Sequence, residues 1–110
     1  MNPSPTEAEF QDAVTDLAHM CGWRTNHTYR SASRRDGGWW RTATTHAGWP
    51  DLTLWRPGQF LVVELKAEKG RLTPLQRDVI ASLRAAGIDT RTWWPRDWPE
   101  IEATLTKKAT

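Results

Sequence analysis

Three charged residues near the middle of the chain are of types that together support metal-ion chemistry. Glu64 and Lys66 stand two positions apart at the end of an apolar run, and Asp51 follows Pro50 further upstream. Mg²⁺ and Mn²⁺ favour carboxylate oxygens as ligands, and a bound divalent ion activates a water and stabilises charge on a phosphoryl oxygen. An ammonium beside such an ion can position the attacking water or offset charge in the transition state. The combination therefore suits hydrolysis of a phosphodiester bond.

The run Phe60–Lys66 predicts a central strand that is covered on both faces, because it is apolar almost throughout. Residues two apart on a strand point to the same face, so Glu64 and Lys66 would lie side by side. Burying these charges is costly unless they are paired or bind an ion. The alternative, an exposed ion pair on an edge strand, fits the apolar run less well.

A hairpin would bring Asp51 to the same end of the sheet. Residues Asp51–Trp55 alternate polar and apolar side chains, and Arg56–Gln59 has the composition of a turn. If the two runs pair across that turn, Asp51 lies near the Glu64 end of its neighbour. Two carboxylates would then converge on one divalent ion, although Asp51 could also be only a turn residue after Pro50.

The other elements follow from caps and hydrophobic periodicity. Thr6 and Glu9 form a capping-box pattern at the start of the first helix. In chain order, we expect a helix from Glu7 to about Cys21, a strand at Trp23–Ser31, a long polar loop over 32–48, the hairpin, a charged loop at Ala67–Leu72, a helix that Thr73 caps and Gly87 ends, a strand at Ile88–Trp94, and a helix that Asp97 caps and that continues to about Leu105. The polar loop could also contain a short strand at Trp39–Thr45, which is not counted in the order that follows. This order, α-β-β-β-α-β-α, predicts an α/β fold with a mixed sheet flanked by helices.

The composition indicates a small soluble protein. The chain has 110 residues, of which 38% are hydrophobic, and a mean hydropathy of -0.68. We expect one domain over residues 1–110, with flexible ends at 1–5 and 106–110. The first residues lack signal-peptide features, and no apolar run approaches the roughly 20 residues of a membrane span, so we expect a cytoplasmic location. Cys21, the single cysteine, is interpreted as a small buried residue.

Positive charge is concentrated in the middle of the chain. Residues 24–71 hold nine Lys or Arg against four acids, whereas residues 1–23 hold four acids and no Lys or Arg. A basic region with aromatic residues suits a polyanion such as DNA. Candidate phosphate contacts, which could instead form a solvated face, are Arg34, Arg35, Arg41, Lys69 and Arg71. The pair Trp39-Trp40 could stack on bases or close its loop over the core.

Three motifs occur in a characteristic order: Gly48-Trp49-Pro50-Asp51, Glu64-Leu65-Lys66 and Thr73-Pro74-Leu75-Gln76. Together with the acidic helix start Thr6-Glu7-Ala8-Glu9-Phe10-Gln11, they resemble the PD-(D/E)xK nucleases, and more closely the stand-alone VRR-NUC domains of phages and bacteria. The resemblance covers roughly residues 6–105. It implies a restriction endonuclease-like core, Mg²⁺ or Mn²⁺ as cofactor and DNA as partner. Because the family includes homodimers similar to Holliday junction resolvases, branched DNA and a homodimer are further expectations.

The resemblance also implies roles for individual residues. Asp51 and Glu64 would bind the metal, Leu65 would supply a backbone carbonyl as a third ligand, and Lys66 would be catalytic. These roles agree with the chemistry that the residue types suggest by themselves.

In this family a first-helix glutamate supports the metal site, and a glutamine on the helix after the central strand lies nearby. Glu7 and Glu9 compete for the first role. On a helical wheel Glu7 lies about 60° and Glu9 about 100° from the apolar direction, and Glu9 also serves the capping box, so we choose Glu7. Glu7 could instead be only a favourable acid at a helix N-terminus. Gln76 is the matching glutamine, or it serves only as the N3 partner of Thr73.

Two classes of function stay open from the sequence. The first is a metal-dependent DNA endonuclease, with an exonuclease or a restriction-like enzyme on the same scaffold as variants. The second is a DNA-binding module without turnover, and the presence of every expected catalytic residue type counts against it. His19, His27 and His46 lack the spacing of a zinc site, and we interpret His46 as a loop residue, although it could also touch substrate.

Overall fold

The computed structural model describes residues 4–28 and 46–108, and its elements follow the predicted order. They are α1 (Glu7–Met20), β1 (Arg24–His27), β2 (Leu52–Arg56), β3 (Gln59–Leu65), α2 (Pro74–Ala85), β4 (Thr90–Trp93) and α3 (Trp98–Thr106), with a short 3₁₀ helix at Pro95–Asp97 before α3. The predicted mixed sheet flanked by helices is confirmed. The predicted strand at Trp39–Thr45 and the pair Trp39-Trp40 lie outside the described residues.

The strands in the described part of the chain form one sheet in the order β1-β2-β3-β4. β2 is antiparallel to both β1 and β3, whereas β3 and β4 are parallel. In the hairpin Arg56 pairs with Gln59, so the turn itself is only Pro57 and Gly58. β3 is therefore an inner strand, and its last five residues are buried, as its apolar run predicted.

The two faces of β3 serve different layers. Alternate residues from Leu61 to Leu65 join a core that α1 and α3 complete. The other buried members of that core are Phe10, Val14, Ala18, Trp23, Leu52, Leu54, Trp93, Ile101 and Leu105. Val62 and Glu64 point to the opposite face, because successive side chains alternate along a strand. α2 covers that face, since its Gln76 is hydrogen-bonded to Glu64.

The starts of α1 and α2 are stabilised by reciprocal capping boxes. Thr6 Oγ1 accepts from the Glu9 N–H at 3.1 Å, and Glu9 Oε1 accepts from the Thr6 N–H at 2.9 Å. Thr73 and Gln76 are joined in the same way at the start of α2. Such a cap contributes about 0.5–2 kcal/mol to helix stability. Both capping boxes are visible in the sequence, because a cap depends only on residues three positions apart.

Three sequence predictions need correction. Asp97 occupies the N-cap position of α3, but its side chain does not cap this helix. Its carboxylate instead accepts the Trp94 N–H at 2.9 Å, across the 3₁₀ helix that precedes α3. Trp23 does not belong to β1: its ring is buried in the core, and its indole N–H donates to the Leu105 carbonyl at 2.9 Å. Cys21 is only partly buried, beside the core at the end of α1.

None of the described helices has both the length and the apolar character to cross a membrane.

Candidate active site

Asp51 and Glu64 lie opposite each other, one position beyond the last pair of the hairpin, Leu52 with Val63. The Asp51 N–H donates to Glu64 Oε1 at 3.2 Å, and the Leu65 N–H donates to Asp51 Oδ2 at 3.0 Å. Each carboxylate is therefore held by a main-chain N–H of the neighbouring strand. Residues directly opposite on antiparallel strands share a face, so the two acids meet at one end of the sheet.

Glu64 is buried, with 1% of its surface exposed, and both of its oxygens have partners. Gln76 Nε2 donates to Glu64 Oε2 at 2.8 Å, and Lys66 Nζ lies 3.4 Å from the same oxygen. Gln76 is itself buried, and its Oε1 accepts the Thr73 N–H at 2.9 Å. Gln76 thus has both of the roles between which the sequence could not choose: it completes the cap of α2 and it holds Glu64.

The surroundings of Glu64 favour its protonated form when no cation is bound. Burial raises the pKa of Glu64 to about 8, and the charge of Asp51 adds to the rise. A hydrogen bond between the two carboxyl groups acts in the same direction, whereas Lys66 lowers the pKa of Glu64 by less. Glu64 therefore holds a proton near neutral pH when no cation is bound. A divalent cation in place of that proton would let Glu64 ionise.

The oxygen donors at this place fit a hard divalent cation. Asp51 and Glu64 offer carboxylate oxygens, and Leu65 stands at the position from which the resemblance implies a carbonyl ligand. Across residues 4–28 and 46–108, no group of three or more His, Cys, Asp or Glu side chains is arranged to hold a metal ion. Mg²⁺ needs only one or two carboxylates and completes its shell with water, whereas protein-bound zinc takes three or four protein ligands. Asp51 and Glu64 therefore fit a hard divalent cation that takes one or two carboxylates and water.

The two candidate acids of α1 differ in what they do. Glu9 is engaged in the capping box with Thr6, and this hydrogen bonding lowers the pKa of Glu9. Glu7 is exposed in the first turn of the helix. Within the described residues, no hydrogen bond joins either acid to Asp51 or Glu64. The structure therefore leaves the choice of Glu7 as a prediction.

α1 contacts β1 through a polar stripe that the sequence analysis missed. Gln11 Nε2 lies 2.8 Å from His27 Nδ1, Thr15 Oγ1 lies 3.3 Å from His27 Nε2, and His19 Nε2 lies 2.8 Å from Thr25 Oγ1. Burial lowers the pKa of His27, and the charge of His19 adds to this, while Asp51 opposes it. His27 borders the site, because it pairs with Leu52 and the next residue, Thr28, donates its N–H to the Asp51 carbonyl at 2.8 Å. The four-residue spacing of the three helix residues could have revealed the stripe.

The loop Ala67–Leu72, here called the basic loop, follows Lys66 directly. Two of the candidate phosphate contacts, Lys69 and Arg71, belong to this loop and are exposed. The remaining three candidates, Arg34, Arg35 and Arg41, lie outside the described residues. Two of the five basic candidates therefore lie in the loop that directly follows Lys66.

The segment before β2 packs closely on the start of α2. Gly48 has a φ of 87°, and a Cβ atom at this position would lie 2.9 Å from Leu75 Cγ. Glycine alone meets both conditions without strain. Trp49, two residues before Asp51 in the chain, is 37% exposed. His46, also in this segment, is exposed, and its interpretation as a loop residue stays a prediction.

Comparison with known families identifies the family of the chain. The sequence model of the VRR-NUC domain matches residues 15–92, more than half of the chain, and the matched region includes Asp51, Glu64 and Lys66. No curated protein and no solved structure matches the sequence significantly. From the extent of the family match, the chain belongs to the VRR-NUC family of nuclease domains.

Proposed function

We propose that this protein is a Mg²⁺- or Mn²⁺-dependent DNA endonuclease. The observation that carries the proposal is the buried Glu64 carboxylate, which is hydrogen-bonded to the Asp51 main chain and lies 3.4 Å from the Lys66 ammonium. A buried carboxylate beside a second carboxylate destabilises a fold unless a proton or a cation joins them. A metal-binding role explains why such a pair stands at the end of an otherwise apolar strand.

Asp51, Glu64 and the Leu65 carbonyl would hold the ion, which when bound supplies an activated water and offsets charge on the scissile phosphate. The side chain of Lys66 is 13% exposed, so little solvent competes for its ammonium. This ammonium can donate a hydrogen bond to the attacking water or to a phosphoryl oxygen, which stabilises charge in the transition state. Gln76 keeps the Glu64 carboxylate in its orientation through the bond to Oε2.

We assign Glu7, in preference to Glu9, a supporting role at the metal site. Glu7 precedes Gln11 by four residues and therefore continues the polar stripe of α1 towards the helix N-terminus. The stripe runs antiparallel to β1, because the early residue Gln11 contacts His27 whereas the late residue His19 contacts the preceding part of the strand. Extended by one turn, it leads towards the end of the sheet that carries Asp51.

The surroundings of the site favour DNA as the substrate. Lys69 and Arg71 are exposed in the basic loop and can neutralise phosphates, while the exposed ring of Trp49 offers a stacking surface for a base. The family resemblance extends the proposal to branched DNA, including four-way junctions. It also favours a homodimer, because the family includes homodimers similar to Holliday junction resolvases.

A cleavage panel tests the proposal. The purified protein is incubated with a four-way junction, a flap, a single strand and a duplex, each with Mg²⁺, with Mn²⁺ or with EDTA. We expect metal-dependent cleavage of at least one substrate and its loss in Glu64→Ala. Glu102→Ala, at an exposed position of α3, is the matched control and should cut like the unmodified protein. Failure to cut any substrate with either ion would defeat the proposal.

Two alternatives have distinct outcomes in the same assay. If the unmodified protein and Asp51→Ala both bind DNA and neither cuts it, the chain is a DNA-binding module that keeps the nuclease fold. Circular and linear forms of one DNA separate endonuclease from exonuclease action, because only an endonuclease cuts the circle. The endonuclease proposal requires cleavage of the circular form.

A further inference from the structure

The basic loop is attached to the segment that joins β4 to α3. The indole N–H of Trp94 donates to the Gly70 carbonyl at 2.8 Å. Arg96 binds Glu68 three times: its main-chain N–H donates to Oε2 at 3.2 Å, and its Nη1 donates to Oε1 and to the Glu68 carbonyl, each at 3.1 Å. The Arg96 guanidinium also stacks 4.7 Å above the Trp94 ring. We call Trp94, Arg96 and Glu68 the loop clamp.

The attachment point is close to Lys66. The Gly70 N–H donates to the Ala67 carbonyl at 2.8 Å and closes a tight turn. A Cβ atom at Gly70 would lie 3.4 Å from the Cβ of Lys66, so the loop packs against the stem of this lysine. The loop clamp therefore holds a turn that packs against Lys66, a residue of the candidate active site.

The loop clamp also changes which charges the loop presents. Glu68 is the only acid in the basic loop, and its carboxylate is paired with Arg96. Within the described residues, Lys69 and Arg71 take part in no ion pair. Arg96 thus neutralises the charge of Glu68, while Lys69 and Arg71 stay exposed. A loop that is already ordered does not lose conformational freedom when it binds, which strengthens binding.

We propose that Trp94 and Arg96 are positioning residues, which hold the basic loop so that Lys69 and Arg71 bind DNA phosphates next to the scissile bond. The inference rests on the proposed nuclease function. The two clamp residues do not touch DNA in this arrangement. Their effect on the substrate passes through the two loop cations.

A double-mutant cycle tests this route. Trp94→Phe removes the indole donor and keeps an aromatic ring under Arg96, and Lys69→Gln with Arg71→Gln removes the loop cations. DNA binding is measured with EDTA, and cleavage kinetics are measured with Mn²⁺. We expect Trp94→Phe to raise Kd and KM by up to about fivefold, the equivalent of one net hydrogen bond, and to affect KM more than kcat. In the protein that lacks both cations, Trp94→Phe should change Kd by less than about 1.5-fold.

The salt dependence of Kd gives a second readout. Each lost phosphate contact lowers the slope of log Kd against log salt by about 0.9 for duplex DNA, so Trp94→Phe should flatten the slope and a general loss of stability should not. Arg96→Gln is a second variant at an exposed position and should act in the same direction. Trp55→Phe, which removes the indole of another exposed tryptophan, is the matched control and should change neither quantity.

The outcomes separate the inference from the function on which it rests. An equal effect of Trp94→Phe with and without the loop cations would overturn the positioning role, as would no effect on Kd, KM or salt slope in a protein that binds and cuts DNA. A protein that neither binds nor cuts DNA would overturn the proposed function together with this inference.

Discussion

Replacing Glu64 by glutamine tests the electrostatics of the site without a DNA substrate. The ordinary pKa of a glutamate is 4.5, whereas burial and the charge of Asp51 raise the pKa of Glu64 in the folded, metal-free protein to about 8. Between these values the folded state binds more protons than the unfolded state. The stability that Glu64 contributes is therefore complete below pH 4.5 and is lost as the pH rises towards 8.

The size of the effect follows from the width of that interval. For one group, each pH unit inside the interval changes the free energy of unfolding by about 1.4 kcal/mol. From 4.5 to about 8 the interval is roughly 3.5 units, which sets an upper limit of about 5 kcal/mol. Such a loss is large beside the roughly 5–15 kcal/mol by which small domains are stable. Glutamine does not titrate, so the Glu64→Gln variant lacks this loss.

Urea unfolding at a series of pH values between about 5 and 8, with EDTA present, measures the difference. The free energy of unfolding of the unmodified protein should fall relative to that of Glu64→Gln by several kcal/mol across this range. Glu102→Gln, at an exposed position, controls for the loss of one acid and should parallel the unmodified protein. Mg²⁺ or Mn²⁺ added near pH 8 should stabilise the unmodified protein, because the ion binds only the folded state, and should stabilise Glu64→Gln much less.

Two results would refute this reasoning. If the stability of the unmodified protein and that of Glu64→Gln change in parallel between pH 5 and 8, the pKa of Glu64 is not raised. The Glu64 carboxylate would then not be buried beside Asp51 as in this structure. If Mn²⁺ stabilises both proteins equally, the cation binds somewhere other than between the two carboxylates.

Three further predictions concern single side chains. Lys66→Met should lower the cleavage rate at saturating DNA by about 10²–10⁴-fold, as removal of a proton-transferring or charge-stabilising group does, while Lys108→Met leaves the rate unchanged; equal rates would remove the lysine from the chemistry. Gln76→Ala should destabilise the protein by about 1–3 kcal/mol in urea unfolding, because a buried carboxylate and a helix N–H both lose a partner. Thr73→Ala should lower the free energy of unfolding by only about 1 kcal/mol and leave metal affinity unchanged. If Thr73→Ala and Gln76→Ala affect metal affinity equally, Gln76 acts only through the cap of α2. Gly48→Ala should destabilise the protein by about 1–3 kcal/mol, because φ is 87° and the added carbon would clash; unchanged thermal stability would contradict this.

Local patterns were enough to predict the part of the site that lies within the hairpin. The turn is short, so the pairing of β2 with β3 follows from nearby residues, and Asp51 has to meet Glu64. The side-by-side placement of Glu64 and Lys66 needs even less, because it follows from alternation along one strand. The same locality explains why the capping boxes of α1 and α2 were predicted correctly.

The errors share one cause, which is competition from partners outside the local pattern. Asp97 stands at a helix N-cap, but the Trp94 N–H in the preceding turn takes its carboxylate. Trp23 was predicted to begin a strand, but its ring is buried in the core and its indole N–H donates to the Leu105 carbonyl. The polar stripe of α1 was not predicted, because the helix was identified from the periodicity of its apolar side chains. Propensity and periodicity describe what a segment can do, whereas its neighbours decide between the possibilities.

By itself the sequence determined the element order, the inner strand β3 and the meeting of Asp51 with Glu64, because each of these depends on contacts over a few residues or across one short turn. Only the tertiary structure decided that Gln76 reaches Glu64 while capping α2, and that His27 borders the site. It also decided that Trp94 and Arg96 hold the basic loop. These contacts join segments 12 or more residues apart, and no local pattern contains the relative placement of helices and strands on which such contacts depend.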